Sequence, residues 1–213
     1  AHGTGGRRSG QGEEMKPPIS FNYLTRRSAL ACTATWLAAG TVLVGCSPQV
    51  PSFKSTDITG ASFAQGLKLT DHTGRLRTLA DFRGKVVVVF FGFTQCPDVC
   101  PTSMTTLAEV KRLMGDQGPH LQVLFVTVDP ERDTLSLLNA YMANFDPTFL
   151  ALRPDPQELK AVADSFKIHY NKVEGPTPTS YTMDHSAGKY VFDTSGAVRL
   201  FSQYGTEPSV IAG

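Results

Sequence analysis

Two cysteines, Cys96 and Cys100, stand with three residues between them in the run Gly92-Phe93-Thr94-Gln95-Cys96-Pro97-Asp98-Val99-Cys100-Pro101. A four-residue step places two side chains on one face of a helix, close enough to share a metal ion or close a disulfide. Three chemistries fit: a metal site, a redox dithiol and a structural disulfide. The structural disulfide is the weakest, because so short a bridge restrains little chain and removes little loop entropy. The chain holds four cysteines in 213 residues, too few for a disulfide scaffold. The other two are Cys32 and Cys46, both near the N-terminus.

The elements around the pair argue for a particular setting. Val86-Val87-Val88-Val89-Phe90-Phe91 is an unbroken β-branched and aromatic run, as in a strand buried on both faces. The cysteines follow it directly. Met104, Leu107, Val110, Leu113 and Met114 then recur at helical spacing. Pro101 suits a first helical turn, so the thiols sit where a strand hands over to a helix N-terminus. The helix dipole and free N–H groups there favour thiolate.

Ahead of that strand, Leu67–Thr70 and Arg75–Leu79 alternate apolar and polar residues around Asp71-His72-Thr73-Gly74, which predicts a β-hairpin. Beyond the first helix the pattern predicts a buried strand over 121–128, a helix through Leu135 to Met142, and a short strand over 149–152. A helix over 157–167 follows. Residues 168–184 read as a long polar excursion with Pro176 and Pro178, before strands at 189–192 and 197–201. Glu207-Pro208-Ser209 reads as the start of a final helix, taken as truncated. This order predicts an α/β domain with a thioredoxin-like fold: a central mixed sheet flanked by helices, with an N-terminal β-hairpin.

The N-terminal region reads as an address. After Met15 come Lys16, Arg26-Arg27 and the uncharged stretch Ser28 to Val44, the pattern of a secretory signal peptide. A spanning helix needs about 20 mostly apolar residues, and Ser28, Thr33, Thr35 and Thr41 dilute this stretch. Leu43-Val44-Gly45-Cys46 resembles a bacterial lipobox, which makes Cys46 the lipidation point. Thr25–Leu30 partly resembles a twin-arginine export signal. Residues 1–45 are thus read as leader and signal, 46–62 as a flexible tether and 63–213 as the domain. Residues 1–45 carry 5 basic and 2 acidic residues, against 15 and 17 in the remainder. A weakly acidic body argues against nucleic-acid binding.

His185 completes the candidate site. In this topology the loop before the penultimate strand lies beside the first helix N-terminus, so His185 can face Cys96 and Cys100. Two thiolates and one imidazole make a low-coordinate site suited to copper; zinc normally takes a fourth ligand or an open water position. His72, His120 and His169 read as turn or connecting residues. Two rivals stay open. A thioredoxin-type oxidoreductase spaces its thiols by two residues and keeps a cis-proline before the penultimate strand, where this chain has Thr182-Met183-Asp184-His185-Ser186. A peroxidase would use Thr94, two residues before Cys96.

Three motifs in order resemble the Sco/SenC family: Phe90–Thr94 leading into Cys96–Pro101, Val128-Asp129-Pro130-Glu131-Arg132-Asp133, and Asp184-His185-Ser186. The resemblance implies a thioredoxin-like, membrane-tethered copper protein that helps assemble the CuA centre of cytochrome c oxidase. It carries the ligands onto Cys96, Cys100 and His185, with a reversible Cys96–Cys100 disulfide in the metal-free form. It implies a copper acceptor such as cytochrome c oxidase subunit II and an upstream copper donor. The lipobox, where this chain departs from the many relatives that keep a transmembrane anchor, adds the expectation of a lipid anchor on the periplasmic or outer-facing side of a bacterial envelope. Such a protein breaks no substrate bond and is not expected to be an enzyme; a thiol–disulfide reductase that keeps client cysteines reduced is the alternative. Asp129 and Asp133 are expected to brace the loop, and Asp98 to be solvated.

Overall fold

Strand β4, Val86–Gly92, runs through the middle of the main sheet, and six of its seven residues are buried. The computed structural model describes residues 53–177 and 180–213. The expected signal peptide, Cys46 and the first part of the expected tether, residues 46–52, lie outside those residues.

Strand β4 pairs in parallel with β5, Leu121–Thr127, which is buried along its whole length. A parallel pair needs a crossover, and helix α1, Val99–Leu113, supplies it. Its buried face is Cys100, Ser103, Met104, Leu107 and Val110. Helix α2, Leu135–Ala143, leads from β5 to β6, Leu150–Leu152, which extends the parallel side. Helix α3, Pro156–Phe166, begins with a capping box between Asp155 and Glu158 and ends at Lys167 in the left-handed region, φ 55°.

On the other side β4 pairs antiparallel with β9, Lys189–Phe192, and β9 with β10, Val198–Ser202. With a short edge strand β1, Thr56–Asp57, the order of the six-stranded sheet is β1-β10-β9-β4-β5-β6. Strand β1 pairs with Phe201 and Leu200. Ordered pairing therefore begins inside the stretch expected as a flexible tether, because the open edge of β10 offers unpaired backbone groups to it. A five-residue helix, α4, spans Pro208–Ala212. Among the described residues no helix is long and apolar enough to cross a membrane.

The expected N-terminal hairpin is present as β2, Lys68–Thr70, and β3, Leu76–Thr78. It docks on β6: His72 N–H donates to Ala151 O at 2.8 Å and Arg153 N–H to Thr70 O at 2.8 Å. The segment read as a polar excursion is a second hairpin, β7, Tyr170–Glu174, and β8, Tyr181–His185. Most of β7 is exposed. Strand β7 buries little and shows no apolar alternation, whereas β8 does alternate, with Tyr181, Met183 and His185 half-buried and Thr182 and Asp184 exposed, a short signal that the reading as a polar excursion passed over.

Candidate metal centre

The loop after β4 is held from outside. Asp133 is fully buried, and its carboxylate accepts from Thr94 N–H at 3.1 Å, Thr94 Oγ1 at 2.6 Å and Thr127 Oγ1 at 2.5 Å. Asp133 thus ties the cysteine loop to the end of β5, the bracing role expected of it. The Thr94 hydroxyl is engaged in that brace, which removes the feature that suggested a peroxidase. Asp129 accepts from Tyr181 Oη at 2.9 Å and pairs with Arg132 Nε.

Cys96 and Cys100 differ sharply. Cys96 is half-buried, and the Cys100 N–H at the start of α1 donates to its Sγ at 3.4 Å. Asp98 caps α1 only through the backbone and is exposed, as expected. Cys100 is fully buried in the core. Burial pushes its thiol well above the usual range. The expectation that the helix N-terminus favours thiolate at both positions is therefore corrected for Cys100, where desolvation outweighs the dipole. Both thiols are free.

The backbone makes room for that sulfur at Gly92. A Cβ there would stand 2.9 Å from Cys100 Sγ, 2.8 Å from Phe125 Cε2 and 3.1 Å from Phe90 Cε1. Phe90 and Phe125 thus border the same space beside Gly92 that the Cys100 sulfur occupies.

His185 ends β8 and reaches the pair across the sheet top. Its Nε2 is 3.5 Å from Cys100 Sγ, and its Nδ1 is 3.0 Å from the Ser186 carbonyl. A carbonyl can only accept, which assigns the proton to Nδ1 and leaves the Nε2 lone pair facing the sulfur. Burial lowers the imidazole pKa, so the ring stays neutral. Phe93 and Phe90 meet its edges at centroid distances of 5.8 and 6.4 Å.

Arg132 is the residue that sequence reasoning missed. It lies 3.6 Å over the Tyr181 ring and donates to Tyr181 O at 2.8 Å and Gln95 Oε1 at 3.2 Å. It fastens the β7–β8 hairpin, which carries His185, to the cysteine loop. Its partner Tyr181 lies 49 residues further along the chain, in the segment read as a polar excursion, so only the fold could pair them. His72 accepts from the Ala151 N–H at 3.0 Å, His169 is exposed, and His120 closes a 3-10 turn; none joins the cluster.

Among the described residues Cys96, Cys100 and His185 are the one His/Cys/Asp/Glu group that could hold a metal, with ligand atoms all within 4.8 Å of one another. Donors bound to one ion at about 2.0–2.3 Å stand at most about 4.6 Å apart, so small movements suffice. Two sulfurs, an aimed imidazole nitrogen and no carboxylate fit a soft ion.

A thioredoxin-like fold with a Cys–Cys–His cluster where its central strand meets the first helix is the class that fold and site define. The chain belongs to the SCO1/SenC family, whose model matches residues 55–213. It is 40% identical over 147 residues to a mitochondrial SCO2 homolog of Bos taurus, covering 68% of this chain and 54% of that protein. The SCO2 homolog of Homo sapiens is 34% identical over 200 residues, covering 92% and 73%. The matched stretch thus spans about half the length of the bovine relative. Bradyrhizobium japonicum ScoI, solved with copper bound, is 35% identical, with a TM-score of 0.63 over 76% of this chain and 96% of that one.

Proposed function

We propose that this domain binds copper through Cys96, Cys100 and His185 and delivers it to the CuA site of cytochrome c oxidase subunit II or a related acceptor. The observation that carries the reading is the convergence of two thiols and one imidazole nitrogen within 4.8 Å, with no acidic ligand. The donor set matches Cu(I), and the imidazole also serves Cu(II). Three ligands leave coordination positions open, so an acceptor's donors can enter before this protein's leave. Binding draws the proton from the buried Cys100 thiol, since only thiolate ligates. No substrate bond is broken, and the protein acts as a carrier rather than an enzyme. An upstream donor loads it, and a lipid on Cys46 holds it to the outer-facing side of a bacterial membrane.

A thiol–disulfide role for the same pair is favoured by one observation. The half-buried Cys96 Sγ accepts an N–H at the helix start while Cys100 is buried behind it, an arrangement of attacking and resolving thiols. In this reading the metal-free Cys96–Cys100 dithiol attacks a client disulfide, and its own disulfide closes as the client's two thiols are released.

Metal analysis of the protein after loading with copper and with zinc tests the first reading. One copper per chain, lost when Cys96 and Cys100 are oxidised to a disulfide, is expected. Retention of zinc in preference to copper overturns it. Oxidase activity at limiting copper separates the roles. A carrier needs His185, whereas dithiol exchange does not, so full activity of His185→Ala with loss in Cys96→Ala and Cys100→Ala favours the reductase.

A further inference from the structure

Lys189 is a buried cation that plays no part in ligation. It opens β9, pairs in register with Phe90 of β4, and is 1% exposed. Lysine is rarely buried so fully without a partner. Yet among the described residues Lys189 forms no ion pair. Its Nζ stands 5.8 Å from the Phe90 ring centroid. The residue borders a cavity of about 210 Å³ shared with Thr102, Ser103 and Thr106 of α1. Ser103, one turn beyond Cys100, has a buried hydroxyl without a partner. Glu207 also borders the cavity, but it is exposed and does not pair with the lysine. Burial of the residue lowers the Lys189 pKa.

Phe90 connects this ammonium to the metal cluster. The same ring lies 6.4 Å from the His185 ring, centroid to centroid. Its Cε1 edge also faces Cys100 Sγ across the space above Gly92. Cu(I) held by two thiolates and a neutral imidazole carries one net negative charge; Cu(II) in the same ligands carries none. A buried anion needs a nearby cation. Arg132, the other cation beside the cluster, is already paired with Asp129.

We propose that Lys189 is the charge-compensating partner of the loaded Cu(I) centre, acting across the Phe90 ring to favour the anionic Cu(I) state over the neutral Cu(II) state. The proposal rests on the copper reading above. It gives a role to a largely buried cation that forms no ion pair among the described residues, and it makes Lys189 a tuning residue rather than a ligand.

The test compares the full chain with Lys189→Met, Lys189→Gln and Glu207→Gln. Cu(I) and Cu(II) affinities are measured separately by competition with chelators of known strength. Both Lys189 variants are expected to shift the Cu(I):Cu(II) affinity ratio toward Cu(II) on the order of tenfold, as for one charge acting through a partly screened interior. Glu207→Gln leaves the ratio unchanged. Thermal unfolding without copper checks that the variants are folded, and Lys189→Gln, which keeps a polar atom in the cavity, carries the comparison if the Met variant does not fold. An unchanged ratio in a folded Lys189 variant overturns the proposal alone. An equal shift in Glu207→Gln also overturns it, by showing a general field effect of this face. A wild-type protein that binds neither copper state overturns the copper reading and this proposal together.

Discussion

Cys100 Sγ and His185 Nε2 stand 3.5 Å apart although 85 residues separate them along the chain. The first belongs to the opening turn of α1 and the second to the last position of β8, and Arg132 ties the two supports together. Loss of a ligand and loss of its support should therefore have different signatures.

Cys96→Ala and Cys100→Ala should each abolish tight copper binding. Removing a group that merely orients a ligand costs about 10–100-fold in metal affinity, and removing a thiolate costs more. His185→Ala should keep two-thiolate Cu(I) binding while losing the Cu(II) form. Stoichiometry and the sulfur-to-Cu(II) absorption band read both. Normal binding of both states by His185→Ala would refute the three-ligand site.

Gly92→Ala places a methyl group 2.9 Å from Cys100 Sγ and 2.8 Å from Phe125. Overpacking of this kind costs about 1–3 kcal/mol. Denaturant unfolding should show that loss, and copper affinity should fall with it because the displaced atom is a ligand. Wild-type stability together with wild-type affinity would mean the sulfur does not fill that space.

Asp71 offers a pH test away from the cluster. Burial alone would raise its pKa, but hydrogen bonds from Thr73, Arg77 and the Arg75 N–H outweigh that and hold it at about 2. Its folded pKa lies below the unfolded value of 3.8. The stabilisation is therefore complete above pH 3.8 and disappears as pH falls through about 2. It amounts to about 2 kcal/mol. The stability gap between wild type and Asp71→Asn should be open at pH 7 and shrink across that window; a gap that is constant with pH would contradict it.

Cys46→Ser should block lipid attachment and leave an unprocessed precursor. Mass spectrometry of the membrane fraction reads the outcome directly. A mature, lipid-free protein at normal level would show that the N-terminal region is processed in some other way.

Much of this protein is legible from local pattern. The valine and phenylalanine run of β4 announces a strand buried on both faces, because a period-free apolar segment has no wet side. Pro101 marks the helix start, but only Cys100 lies in its first turn; Cys96 sits in the loop before the Asp98 N-cap, so the expected shared helical face is not what brings the two thiols together. Where the pattern is local, as in the Asp71–Gly74 turn, the expected element is present.

Burial and partnership were decided by the tertiary structure. Nothing near Cys100 in sequence says that it is desolvated while Cys96 is half-open; that follows from packing under Phe90 and Phe125. Hairpin β7–β8 leaves only a short trace in the sequence, the alternation of Tyr181, Met183 and His185 in β8, because four of the five residues of β7 are exposed and its pairing and the Arg132–Tyr181 contact exist only in the fold. Lys189 reads as an ordinary strand-opening lysine until β4, α1 and the segment Tyr204–Pro208 close over it. Desolvation and electrostatic fields sum over atoms from chain segments that meet only on folding, so no window of the sequence contains them.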